Sequence, residues 1–74
     1  MSQLEFNIKA KFVYTKLLPL VKEASRDAVI SLSYEAREVD ETVVIYFANG
    51  AETRVDVTGD DLLELAKDVL EGAV

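Results

Sequence analysis

Thr42-Val43-Val44-Ile45-Tyr46-Phe47-Ala48-Asn49-Gly50-Ala51-Glu52-Thr53-Arg54-Val55-Asp56-Val57-Thr58-Gly59-Asp60-Asp61 reads as strand, turn, strand and helix start. β-branched and aromatic residues fill Val43 to Phe47. Asn49-Gly50 supplies the two residues that best tolerate the positive φ of a type I′ turn, and Thr53 to Val57 alternates back. Beyond it, Leu62, Leu63, Leu65, Ala66, Val69, Leu70 and Ala73 fall on about half the circumference of a helix. Asp60, Asp61, Glu64, Lys67, Asp68 and Glu71 fill the other half. Thr58 with Asp61 approximates a capping box, the paired aspartates suit the positive end of the helix dipole, and Gly72 ends the helix.

A two-residue turn at Asn49-Gly50 sets the strand register. Ala48 then opposes Ala51, Tyr46 opposes Thr53, Val44 opposes Val55 and Val43 opposes Asp56. One face carries Val44, Tyr46, Val55 and Val57 and is the expected core. The other carries Val43, Ile45 and Phe47 beside Glu52, Arg54 and Asp56, an apolar row that is either covered by another element or offered to a partner.

Upstream, Ile30, Leu32, Tyr34 and Ala36 alternate with Ser31, Ser33, Glu35 and Arg37, a half-buried strand joined to the hairpin by the short Val39-Asp40-Glu41 connection. The expected sheet is a three-stranded antiparallel meander. Before it, Leu4, Phe6, Ile8, Ala10, Phe12 and Tyr14 recur at every second position, which predicts a fourth strand over 4–13 followed by a helix over 17–26 with Pro19 in its first turn. One long helix competes: Phe6, Ala10, Val13, Leu17, Leu20, Val21 and Ala24 recur at three and four, and Ser2 with Glu5 matches a capping box. That helix would leave Leu4, Ile8 and Phe12 on the wrong side and place Pro19 in its interior, at a cost of about 3 kcal/mol. The expected fold is α+β, a small antiparallel sheet with helices packed on one face, in the order β-α-β-β-β-α; the alternative order is α-β-β-β-α. Residues 1–74 form a single domain.

A chain of 74 residues buries only about 60% of its unfolded surface, so association is a natural route to stability. It holds no cysteine and no histidine, which removes disulfides, thiolate or imidazole metal sites, the thiol nucleophile and the usual general base. Met1-Ser2-Gln3-Leu4-Glu5 lacks a leader pattern, and the run Val43 to Ala48 is far shorter than a membrane span, so a cytoplasmic chain is expected. Net charge is −6, divided as +3 over residues 1–26 and −9 over the remainder. The two halves are expected to offset each other within the fold.

No segment marks a chemical site. Asp56, Asp60, Asp61 and Glu64 are the nearest approach to a metal cluster, but they lack the alternate-position acids of a calcium loop, and helix capping accounts for them. Ser2, Ser25, Ser31 and Ser33 have no activating histidine. No metal, cofactor or small-molecule substrate is expected. Lys9, Lys11, Lys16, Lys22 and Arg26, interleaved with Phe12 and Tyr14, form a basic stripe; in a strand the aromatics would face away from Lys9 and Lys11. With a helical front, the order α-β-β-β-α would resemble the double-stranded-RNA-binding domain in topology. That family opens its second helix with a basic cluster, where this chain has Gly59-Asp60-Asp61. Nucleic acid is therefore not the expected partner.

Asn49-Gly50, then Arg54-Val55-Asp56-Val57-Thr58-Gly59-Asp60-Asp61-Leu62 and Asp68-Val69-Leu70, resembles the ends of small uncharacterised proteins encoded by phages and prophages of Gram-positive bacteria. The resemblance covers about a third of the chain and implies a bacterial cytosol and a phage accessory gene, without an activity. The functional expectation is a non-enzymatic protein-interaction module that self-associates as a homodimer. Its expected surface comprises Val43, Ile45, Phe47 and Arg54 with the acidic helix residues Asp60, Glu64, Asp68 and Glu71. The alternative is a nucleic-acid-associated accessory protein, binding directly or acting as an acidic decoy.

Overall fold

Ser2 begins a helix: its Oγ accepts the Glu5 N–H at 3.1 Å, satisfying a backbone donor that the first turn leaves free. In the computed structural model, which describes residues 1–74, this helix continues to Ala24 in three pieces. They are α1 (Gln3–Phe12), a π-helical turn (Val13–Leu17) and α2 (Leu18–Ala24). The strand expected over 4–13 is thus replaced by helix, and the observed order is the alternative, α-β-β-β-α. Helix wins because it buries one continuous stripe. Val13, Leu17 and Val21 are fully inaccessible, with Phe6, Ala10 and Phe12 packed at the margin of the same core.

The objection from Pro19 is met by the π turn. An α-helix would press the proline ring against the Thr15 carbonyl. The turn before Pro19 is widened, the Leu18 N–H donating to the Val13 carbonyl five residues back, and the proline falls in the first turn of α2, where its missing N–H costs little. Thr15 Oγ1 donates to the Lys11 carbonyl at 2.6 Å in the same turn. The helix ends where Arg26 and Asp27 adopt left-handed conformations, φ 54° and 64°.

Strands β1 (Val29–Ala36), β2 (Glu41–Phe47) and β3 (Glu52–Asp56) form an antiparallel sheet in the order β1-β2-β3. Its hairpin differs from the expected one by one residue. The Phe47 N–H donates to the Ala51 carbonyl at 2.9 Å, and the Gly50 N–H to the Phe47 carbonyl at 3.0 Å. The loop is therefore Ala48-Asn49-Gly50, a three-residue connection in which Gly50 takes φ 90°. Val43 pairs with Val55, Val44 with Arg54, Ile45 with Thr53 and Tyr46 with Glu52. A one-residue slip exchanges the faces of a strand. Val43 and Ile45, expected on the outer face, lie wholly inside the core with Phe47 packed against them; Val44 and Tyr46 point the other way. The row Val43-Ile45-Phe47 is not a surface.

In β1 a bulge sits between the pairs Val29–Phe47 and Ser31–Tyr46. Val29 takes the core position that alternation assigned to Ile30, and Ile30 is about half exposed. Helix α3 (Leu62–Ala73) is capped by Asp61 rather than Thr58: Asp61 Oδ1 accepts the Glu64 N–H at 2.8 Å, and Glu64 Oε1 accepts the Asp61 N–H at 3.1 Å. Leu65, Val69 and Ala73 face the sheet, whereas Leu63, expected on the apolar half, is 80% exposed. Gly72 is the penultimate residue of the helix and does not terminate it. A Cβ there would stand 2.8 Å from Val55 Cγ2 and 3.3 Å from Ile45 Cδ1, so the absent side chain lets α3 approach the sheet.

All helices pack on one face. The other face carries Ser31, Ser33, Glu35, Thr42, Tyr46, Glu52 and Arg54 around the inaccessible Val44. The outer edge of β1 is partly closed by Tyr14, whose hydroxyl accepts the Tyr34 N–H at 3.0 Å. No helix is long and apolar enough to cross a membrane.

Candidate functional site

Glu41 is the one polar residue of the buried interior, 8% exposed. It occupies the same face of β2 as Val43 and Ile45, where strand alternation directs it toward α1. Four neighbours meet it. Lys9 Nζ from α1 donates to Oε1 at 2.7 Å, as does the Tyr34 hydroxyl from β1, also at 2.7 Å. The Gly59 N–H donates to Oε2 at 3.0 Å, and the Glu41 N–H itself donates to Thr58 Oγ1 at 3.0 Å. The ring of Phe6 lies 5.4 Å from that of Tyr34. Glu41 thereby ties α1, β1 and the β3–α3 connection together.

Its electrostatics are those of a clamp. Burial pushes the Glu41 carboxyl up, but hydrogen bonds from Lys9, Tyr34 and the Gly59 N–H outweigh burial and hold it below the usual carboxylate range. Burial and the Glu41 hydrogen bond push the Tyr34 hydroxyl far above its ordinary value. Acid stays ionised, phenol stays protonated, and each is engaged by the other. Neither group is poised to exchange a proton with a substrate at neutral pH.

The acids expected along one face of α3 have separate surroundings. Glu64 is occupied in the cap, and Glu71 is exposed. Asp60 and Asp68 are half-buried beside one another, and Asp60 Oδ2 is enclosed without a hydrogen-bond partner. The adjacent Asp68 carboxyl, then burial, then the charges of Asp68 and Glu64 push Asp60 up to about 6, with Lys9 opposing them. Arg54 lies on the open sheet face, where Nη1 meets Glu35 Oε1 at 3.3 Å. No group of three or more acidic side chains is arranged to hold a metal ion.

The surface that stands out is the outer side of α1. Leu4 is 69% and Ile8 49% exposed on the side of α1 away from the core stripe, and the half-buried Phe12, packed at the core margin, continues their line at i+8. Beside it, Ile8, Phe12 and Leu62 line a shallow apolar groove of about 250 Å³, flanked by Lys11, Thr15 and Lys16. The ion pairs of the molecule are Lys9–Glu41 and Arg54–Glu35, so Lys11 and Lys16 are uncommitted. A second cleft, about 360 Å³, opens between the chain start and the β1–β2 connection, at Met1, Ser2, Gln3, Phe6, Ala36, Arg37 and Glu38.

The structure therefore separates the expected surface residues: Val43, Ile45 and Phe47 in the core, Arg54 on the sheet, and the acids distributed about α3. The Glu41 cluster escaped sequence reasoning because Glu41 reads as part of the Val39-Asp40-Glu41 connection rather than as the first residue of β2, and because the register was displaced by one. With Glu41, Val43 and Ile45 on one face, a buried acid at the head of the strand would have been legible. The outer row was visible as Leu4, Ile8 and Phe12, and was counted against the helix that displays it. Compared with known protein families, curated proteins and solved structures, the chain matches none.

Proposed function

We propose that this chain is a non-enzymatic protein-interaction module that offers the outer face of α1 to another polypeptide. The observation that carries the reading is the row Leu4-Ile8-Phe12. Leu4 and Ile8 are exposed on the side of α1 that its own core does not use, and with the half-buried Phe12 they adjoin Leu62 of α3. The non-enzymatic part rests on the buried polar cluster, whose carboxylate and hydroxyl are spent on each other and on Lys9. A phage accessory origin draws on the resemblance of the last third of the chain alone. Self-association belongs to the proposal as one identity of the partner.

A photoreactive phenylalanine analogue placed at Ile8 and, separately, at Arg54 in cells expressing the chain tests the reading. Adducts from position 8 and not from position 54 are expected, and adducts to a second copy would identify the homodimer. Adducts confined to position 54 would move the interface to the open sheet and overturn the proposal.

A nucleic-acid-associated role is the second reading, favoured by the uncommitted Lys11 and Lys16. Asp60 and Asp61 stand against it, since they open α3 with carboxylates. Retention on heparin that falls steeply with salt would favour it.

A further inference from the structure

We infer that the groove between α1 and the start of α3 takes an acidic amphipathic helix, with one apolar side chain seated among Ile8, Phe12 and Leu62 and carboxylates reaching Lys11 and Lys16. The inference rests on the docking reading above and names its partner. Three observations carry it.

The first is size. The groove is about 250 Å³, below the ~300–1,000 Å³ of small-molecule sites, and suits an anchoring side chain rather than a whole ligand. The second is periodicity. Leu4, Ile8 and Phe12 extend over about 12 Å of α1, enough to meet the i, i+4, i+7 anchors of an amphipathic helix, which span about 10.5 Å. The third is charge. Lys11 and Lys16 are exposed, flank the groove and have no anionic partner within the chain. An apolar contact rimmed by unpaired ammonium groups is complemented by carboxylates at the edge of the incoming face.

The charge distribution also argues for a short acidic segment over an extended polyanion. Residues 1–26 carry +3 and the rest −9; the charged residues lining the groove are Lys11 and Lys16, and a two- or three-turn helix set along α1 meets them while reaching the acidic remainder only at Leu62. A duplex or an anionic bilayer would extend over the acidic remainder and be repelled by it.

The test uses the isotopically labelled full chain and two synthetic helical peptides with identical leucines at i, i+4 and i+7, one rimmed by glutamates and one by lysines. The glutamate peptide is expected to shift the amide resonances of Ile8, Lys11, Phe12, Lys16 and Leu62. Its affinity should exceed that of the lysine peptide by about tenfold or more, and the gap should shrink as salt rises. The Lys11→Glu, Lys16→Glu double variant, changed only at exposed positions and checked for unaltered circular dichroism, should reverse the preference. Equal binding of both peptides at the groove would overturn the acidic partner while leaving the docking face in place. Binding of neither would also overturn it; the docking reading itself falls only if position 8 yields no crosslinks. Stronger shifts at Lys11 and Lys16 from duplex DNA or from phosphatidylserine vesicles would assign the lysines to a polyanion and likewise reject the inference.

Discussion

Glu41 shows how one side chain can set the pH range of a small fold. Its carboxyl, ordinarily near 4.5, is held lower when folded. The stability it contributes is therefore present above its unfolded value and is lost as pH falls through the folded one. Asp60 has the opposite sign. It ionises near 3.8 when unfolded and near 6 when folded, so folding is increasingly penalised as pH rises between those values, with the full penalty above about 6. From these two groups the urea midpoint should consequently be highest near pH 4, where the Glu41 gain is largely in place and the Asp60 penalty is only beginning. Asp60→Asn should raise the midpoint at about pH 7.5 and leave it nearly unchanged at about pH 3.5, below the range in which Asp60 ionises in either state; a variant equally displaced at both would show that Asp60 has no unfavourable charge in the fold. Glu41→Ala should cost about 2–4 kcal/mol, because it strands the Lys9 ammonium and the Tyr34 hydroxyl together, and urea unfolding measures that loss.

At the level of elements, the long helix and the hairpin mark where sequence and structure part. Leu4, Phe6, Ile8, Ala10 and Phe12 satisfy a period of two, and the same chain satisfies a helical period through Phe6, Ala10, Val13, Leu17 and Val21. A second apolar stripe makes both patterns real, and pattern alone cannot say which stripe is core. Asn49-Gly50 marks the hairpin correctly, yet fits a two-residue or a three-residue loop, and that one-residue difference decides which face of β2 is inside. By contrast α3, the meander and the α+β class were legible, because their periodicities have no competitor. Leu17→Ala should cost about 2–5 kcal/mol and Leu4→Ala under about 0.5, a contrast that a buried first strand would abolish. Gly72→Val should cost about 1–3 kcal/mol in urea unfolding, since its methyls would be forced against Val55 and Ile45; a helix-ending glycine would tolerate the change far better.

The whole molecule is a sheet clothed on one side, with a core cluster of 12 buried apolar side chains beside Glu41. With so few buried residues, an apolar row left outside is a large share of what the chain could have buried, and this is why α1 carries the functional reading. The same partition of surfaces underlies the register, the helix and the proposed docking face. One pair of substitutions examines it directly: Ile8→Lys and Ile45→Lys, followed by circular dichroism and urea unfolding. Ile8 belongs to the outer row, so its lysine variant should fold with a stability within about 0.5 kcal/mol of the parent. Ile45 is enclosed, so its lysine variant should lose the folded signal. A folded Ile45→Lys together with an unfolded Ile8→Lys would contradict the account, placing Val43, Ile45 and Phe47 on the surface and the first helix face in the core.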